Sequence, residues 1–340
     1  NEMTPNPILA LALFFAGVTL LYLGWKYRLW SRIFHNSERD RKTAMEDVLK
    51  QLYHVEYSGR KATLNAMAGA LKLSDRKLVG LIEDMSGLNL IRAQADTISL
   101  TRVGKDYALH IIRVHRLWEK YLSERTGIDK SEWHNRAERM EHTMTSEEAE
   151  ELYHELGSPR FDPHGDPIPL KTGEIIESNA IPLSGIRENA LVRIVHIEDE
   201  PEAIYEQIID KKLHMGQQLK VTNIDDHHVR FFSEGQTYEL SSIVASNIGV
   251  RKLSEEEVFE SGKVRLSSLR QGEKGQVIGI SSECRGANRR RLLDLGFIKG
   301  TSIETGLEGP MKEPKAYLIR NTLIALRNDQ ADLILIEKTT

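Results

Sequence analysis

The sequence predicts a multidomain α+β protein with an apolar N-terminal helix, a winged helix-turn-helix, a helical metal-binding segment and two small β-barrels. Three observations predict it. Residues 8–25 carry no charge. Residues 39–156 alternate helical periodicity with one short β hairpin, and from Leu183 onward the chain turns to short β-type runs with turn residues between them.

Taken in order, Ile8 to Trp25 (ILALALFFAGVTLLYLGW) is 18 residues long, about 27 Å as a helix. Tyr22, Trp25, Tyr27 and Trp30 form an aromatic belt at its C-terminal end, Lys26, Arg28 and Arg32 follow the run, and only Glu2 is charged before it. The competing reading is a signal peptide, but a basic leader and a small-residue cleavage site are missing. The expectation is a single-pass anchor (residues 1–36) in the cytoplasmic membrane, with the N-terminus outside and the remaining domains in the cytoplasm.

Ser37 to Arg41 (SERDR) is read as a polar hinge, with Ser37 capping a helix from about Arg39 to His54 that turns Met45, Val48, Leu49 and Leu52 inward. Thr63 to Leu71 and Asp75 to Met85 follow as short helices, Ser74 capping the second. Asn89 stands where a helix end tolerates positive φ, and Leu90 to Thr101 forms a wing with Ala95-Asp96 near its turn. In this winged-helix unit (37–105), Ser74, Arg76 and Lys77 open the recognition helix, where groove and phosphate contacts are made. Asp75, Glu83 and Asp84 are acidic and Gly80 offers no side chain, so spacing alone leaves DNA contact and a solvated face both open.

Gly104 to Thr126 and Lys130 to Leu156 are long amphipathic stretches, and Pro159 to Pro169 (within it DPHGDPIP) is a rigid loop; together they make a helical unit (106–175). His115 and Glu119 are four apart, and His134, Glu138, Glu141 and His142 are offset by four, seven and eight. Each set therefore lies on one helical face. Imidazole and carboxylate without thiolate suit Mn(II), Fe(II) or Zn(II). Two barrels follow, at 180–253 and 263–338. Their openings, LSGIRENA from Leu183 and LSSLRQGE from Leu266, make a weak internal repeat, and an acidic linker, Ser254 to Gly262, joins the two.

The formal net charge of -4 excludes an overall polycation, yet residues 26–92 hold 13 Lys and Arg against 8 Asp and Glu. A single cysteine, Cys284, excludes an intramolecular disulfide and fits a reducing compartment. A P-loop, a nucleophile elbow and an HExxH pair are missing, which argues against an enzyme.

On Met45-Glu46-Asp47, Leu100-Thr101-Arg102-Val103-Gly104, HRLWE from His115, HNRAERMEH from His134 and DPHGDPIP from Asp162, the chain resembles the DtxR/MntR family of metal-dependent repressors across residues 40–253. On GEKGQVIGI, RRRLLDLGFIKGT and YLIRNTLIALR, residues 264–337 resemble FeoA, a small SH3-like protein associated with ferrous iron uptake. The first resemblance implies a homodimer, an SH3-like third domain and a primary metal site at Asp47, Glu138, Glu141 and His142. It also implies ancillary ligands at His115, Glu119 and His134, completed by an acid of the third domain, with Glu200 or Glu202 as candidates. The cofactor implied is Fe2+ or Mn2+. Carboxylates at Asp47 and Glu138 point to manganese-type members. Lys50, where those members carry a second carboxylate, speaks against a paired manganese site, and the FeoA-like module points to iron. The function implied is a membrane-anchored regulator whose dimer reads a palindromic operator in double-stranded DNA once metal binds. The alternative is a membrane adaptor that senses metal for a ferrous iron transporter without touching DNA.

Overall fold

The computed structural model describes residues 7–94, 97–176, 179–309 and 313–339, and it divides into two compact units, one ending at Ile111 and the other beginning at Ile112. In the first, helix α1 (Pro7–Tyr57) is followed by β1 (Ala62–Thr63), α2 (Leu64–Ala70), α3 (Asp75–Gly87), β2 (Ile91–Gln94) and β3 (Thr97–Leu100). The strands pair antiparallel in the order β1-β3-β2. Val48, Leu49 and Leu52 of α1 are buried, as are Leu78, Leu81, Ile82 and Met85 of α3. Asn89 takes φ +58 after α3, as its position predicts. Thr63 caps α2, its hydroxyl accepting from the Ala66 N–H at 3.3 Å. The proposed turn at Ala95-Asp96 lies outside the described residues.

The hinge expected at Ser37 to Arg41 is not there. α1 runs through it without a break, because no Gly or Pro occurs between Gly24 and Gly59, and Glu, Arg and Lys favour helix. Among the described residues no helix is long and apolar enough to cross a membrane, so the anchor expected over Ile8 to Trp25 gains no support; most side chains of that stretch lie outside the described residues.

The first unit closes on the start of α4 (Arg102–Arg125). The Thr101 hydroxyl donates to Asn89 O at 2.6 Å and accepts from the Gly104 N–H at 3.0 Å, capping α4 against the wing.

In the second unit the stretch Lys130 to Leu156 is not one helix. It divides into α5 (Trp133–Glu141) and α6 (Ser146–Glu155) because Thr145 forms a capping box with Glu148. Val114 and Leu117 of α4 pack with Ala149, Leu152, Leu156 and Ile168. The first barrel comprises β4 (Ile181–Pro182), β5 (Leu191–Ile197), α7 (Glu202–Asp210), β6 (Gln218–Ile224), β7 (His228–Ser233), β8 (Gln236–Ser241), α8 (Ser242–Ser246) and β9 (Ile248–Lys252). The second comprises β10 (Lys263–Arg265), β11 (Lys274–Ile280), α9 (Gly286–Asp294), β12 (Ser302–Glu308), β13 (Lys315–Ile319), β14 (Thr322–Leu326), α10 (Asn328–Ala331) and β15 (Ile334–Thr339). Their sheets run β4-β9-β5-β6-β7-β8 and β10-β15-β11-β12-β13-β14, the same order twice. Each barrel has its own apolar core, Val192, Leu219 and Phe231 in one and Val277, Phe297 and Tyr317 in the other.

A Cβ at Gly104 would stand 1.9 Å from Leu90 O, so the wing and α4 touch only because residue 104 lacks a side chain. Gly104→Ala is expected to destabilise the first unit by about 3 kcal/mol, read as a lower denaturation midpoint.

Candidate metal centre

Four elements of the second unit bring polar atoms around Glu119 and His134. α4 supplies His115 and Glu119 one turn apart, and α5 begins with Trp133 and His134. The loop at 162–166 supplies His164, and the loop after β5 supplies Asp199 and Glu200. Glu119 Oε1 lies 3.1 Å from His115 Nε2, 3.6 Å from His134 Nδ1 and 3.9 Å from His164 Nε2. Asp199 Oδ2 is 3.0 Å from His134 Nδ1, and Glu200 Oε1 is 3.4 Å from His134 Nε2.

Local structure explains why these groups meet. The Asp162 carboxylate accepts from the N–H groups of His164 and Asp166, both at 2.9 Å, which curls the loop. Gly165 takes φ +94, and a Cβ there would stand 2.1 Å from Val195 O, so the loop lies directly on β5. The Ile197 N–H donates to His164 O at 2.9 Å, joining the loop to the strand end that precedes the acidic run.

The arrangement fits a divalent cation. Glu119 Oε1, His134 Nδ1 and His164 Nε2 are buried without a hydrogen-bond partner, a costly condition for polar atoms that have nothing to bind. His115 Nδ1 contacts Glu141 Oε2. With the proton on Nδ1, donated to that carboxylate, the Nε2 lone pair faces Glu119 and is ready to ligate. Nitrogen and oxygen donors without sulfur suit Mn(II), Fe(II) or Zn(II).

Burial and neighbouring charges oppose one another across the cluster. Burial opposes ionisation of Glu119, but His115, His134 and His164 hold it well below the usual carboxylate range. Burial would lower His134, yet Asp199, Glu119, Glu138 and Glu200 raise it far above the usual imidazole range. Burial also opposes the charge of Asp199, and the His134 imidazole beside it outweighs that, holding Asp199 below its ordinary value. Glu198, next to Asp199, is pushed up to about 7 by burial and the charge of Asp166.

The other sequence candidates are distributed as follows. Glu141 is buried, and its Oε1 lies 3.6 Å from His142 Nε2. Glu138 is half exposed and reaches His134 Nε2 at 3.6 Å. Asp47 belongs to the first unit, half-buried on α1. Ser74 is the N-cap residue of α3 without a side-chain cap bond, and Arg76 and Lys77 are exposed on that helix's first turn. Of the two acids considered for the third domain, Glu200 is at the cluster, and Glu202 opens α7. Sequence reasoning missed His164 and Asp199. The first stood inside a motif already singled out, and the second inside the run Glu198-Asp199-Glu200.

Because His134 holds its proton through the neutral range, a cation must displace it. Affinity at this cluster is expected to rise from pH 6 to pH 8, with release of about one proton per ion. Titration calorimetry in buffers of different ionisation enthalpy measures that release, and no buffer dependence would contradict it.

The chain is similar to known proteins in both of its parts. Residues 101–170 match the family model of the iron dependent repressor metal binding and dimerisation domain, and residues 264–338 match that of the FeoA domain. The chain is 27% identical to the diphtheria toxin repressor of Corynebacterium glutamicum over 227 residues, 63% of this chain and 99% of the relative. It is 43% identical over 74 residues to a probable metal transport system membrane protein of Chlamydia trachomatis, 22% of this chain and 16% of the relative. A manganese-dependent transcriptional repressor solved in complex with manganese superposes with a TM-score of 0.57 at 26% identity, covering 61% of this chain and 99% of that one. The chain therefore carries a metal-dependent repressor domain of the DtxR/MntR type and, C-terminal to it, a FeoA domain.

Proposed function

We propose that this chain is a metal-dependent, DNA-binding transcriptional regulator, acting as a homodimer that answers to Mn(II) or Fe(II). The observation that carries the reading is the buried Glu119 carboxylate facing three imidazoles within a repressor-type domain. The diphtheria toxin repressor and the manganese-dependent repressor that the chain resembles are repressors rather than enzymes. A bound divalent ion supplies positive charge, which the chain's own groups share. Glu119 and Asp199 are the anionic ligands, His115, His134 and His164 the neutral ones, and Glu141 orients His115. Glu141 with His142 is the core of a second ligand set. Asp47 and Glu138 join that set on the family resemblance alone. An ion that binds one arrangement of the dimer more tightly shifts the population towards it, and DNA that prefers the same arrangement is then bound more tightly. Arg76 and Lys77, exposed at the start of α3, are the phosphate and base-edge contacts of the recognition helix.

Membrane attachment is the finer part of the proposal. It is supported by the charge-free run from Ile8 to Trp25, by the exposure of Phe15, Leu20, Tyr22 and Leu23 on α1, and by the likeness to a metal transport membrane protein. On this reading α1 begins in the cytoplasmic membrane and the remaining domains lie in the cytoplasm. The same likeness favours a second reading, a metal-sensing adaptor of a ferrous iron transporter that does not bind DNA.

Retention of fragments of its own genomic DNA by the full chain, with and without Mn(II) or Fe(II) under anaerobic conditions, decides between the two. Selective, metal-dependent retention is expected; a metal-bound dimer that retains no fragment selectively would leave the adaptor. Glu141→Ala and His142→Ala are each expected to weaken Mn(II) and Fe(II) binding at the second set at least tenfold, and wild-type affinity in both would remove that assignment. Replacing Arg76 and Lys77 by Ala together should weaken DNA binding across all sequences and reduce its salt slope by about 2.

A further inference from the structure

The two barrels share a strand order, so their loops correspond. The loop after β5 leads into α7, and the loop after β11 leads into α9. Both reach the same place, the segment 126–134 that opens α5. The first barrel's loop brings Asp199 and Glu200 to His134. The second barrel's loop brings Glu283 to Lys130 at 2.9 Å and lays the Arg285 guanidinium over the Trp133 ring at 5.2 Å. Gly286, at φ +54, passes so close to the chain that a Cβ would stand 3.0 Å from Thr126 O. Trp133 is the residue before His134, and its ring meets His164 edge-on at 6.0 Å. One indole thus touches the FeoA domain on one side and a candidate ion ligand on the other.

The contact between the FeoA domain and its neighbours is of the kind that can open. Beyond the Lys130 and Arg285 contacts it includes Lys212 with Asp332, Ser282 with His214 at 3.2 Å, and Arg265 with Glu234 at 3.0 Å. Arg265 is 2% exposed, and its Nε and one Nη lack hydrogen-bond partners, which makes this ion pair a weak source of stability. The apolar cores of the two barrels share no residue. A cavity of about 360 Å³ is lined by Trp133, His164, Tyr205, Ser282, Arg285 and Asn288. A polar interface around a cavity favours relative motion of the domains it joins.

We propose that the FeoA domain clamps the start of α5, and that its docking and ion binding at the Glu119, His134, His164 and Asp199 cluster are coupled. Docking fixes Trp133 and with it the position of His134 and His164. An ion that needs those imidazoles in place favours the docked state, and the docked state favours the ion to the same degree. The proposal rests on the reading of that cluster as an ion site.

The test uses the full chain. Protease cleavage in the linker Ser254 to Gly262 is followed with and without Mn(II), and Mn(II) affinity at the cluster is measured by calorimetry alongside. Mn(II) is expected to slow cleavage about fivefold or more, and His134→Ala is expected to abolish the protection. Lys130→Glu and Glu283→Lys should each lower Mn(II) affinity at the cluster and expose the linker, while the double swap restores both. A purely electrostatic influence would move the two single variants in opposite directions, because one adds negative charge near the cation and the other positive. If Mn(II) occupies the cluster but leaves cleavage unchanged, or if the single variants split by charge, the coupling is wrong. If calorimetry finds no ion at the cluster in the wild-type chain, the reading of the cluster falls first and the coupling with it.

Discussion

The structure of the second unit depends on one unusual group, a carboxylate sealed among imidazoles. Glu119 is 2% exposed, and the oxygen it turns towards His115, His134 and His164 has no hydrogen bond. A buried charge in that condition costs several kcal/mol unless another charge compensates it. The elements around it are arranged to supply that compensation. α4 stacks His115 one turn from Glu119, the Asp162 turn presents His164, and the barrel loop brings Asp199 to the far side of His134. Helical domain and first barrel are therefore held together partly by the demand of a single carboxylate for positive charge. Protons can meet that demand, as the raised pKa of His134 indicates, and a divalent cation meets it with one particle.

Much of this was legible in the sequence, because helical spacing is a strong signal. The offset of four between His115 and Glu119 fixed their shared face, and the cluster from His134 to His142 did the same for α5. β5 and β6 fall where short β-type runs are expected from Leu183 onward. What stayed hidden was set by tertiary geometry. The direction of His164 depends on a hydrogen-bonded turn at Asp162 and on Gly165 lying against Val195 O. Asp199 is one of three adjacent acids, and only its distance from His134 distinguishes it. The break between α5 and α6 was written in Thr145 and Glu148, but helical periodicity on both sides obscured it. The expected hinge at Ser37 failed for the opposite reason. One capping residue cannot stop a helix when no Gly or Pro follows it before Gly59 and Glu38, Arg39, Arg41 and Lys42 favour helix.

The internal repeat explains how two barrels of one topology come to do different things at one place. The corresponding loops carry opposite chemistry where they meet α5, carboxylates at Asp199 and Glu200 in the first, a guanidinium at Arg285 in the second. Acids beside an imidazole make a ligand set; a guanidinium on an indole makes a packing contact. The strand framework carries both because each barrel core is built mainly from its strands, with Phe231 and Tyr317 fully buried there.

The order of these pieces along the chain bears on how the protein is made. His115, Glu119, His134, His164 and Asp199 all precede the second barrel in sequence. Domains fold as units during synthesis, N-terminal ones first. The cluster is therefore complete on the ribosome while the FeoA domain is still being translated, and the cell's metal supply at that moment can fill it before Arg285 exists to cover Trp133. An ion taken up at that stage would meet the cluster before the last domain emerges beside Trp133.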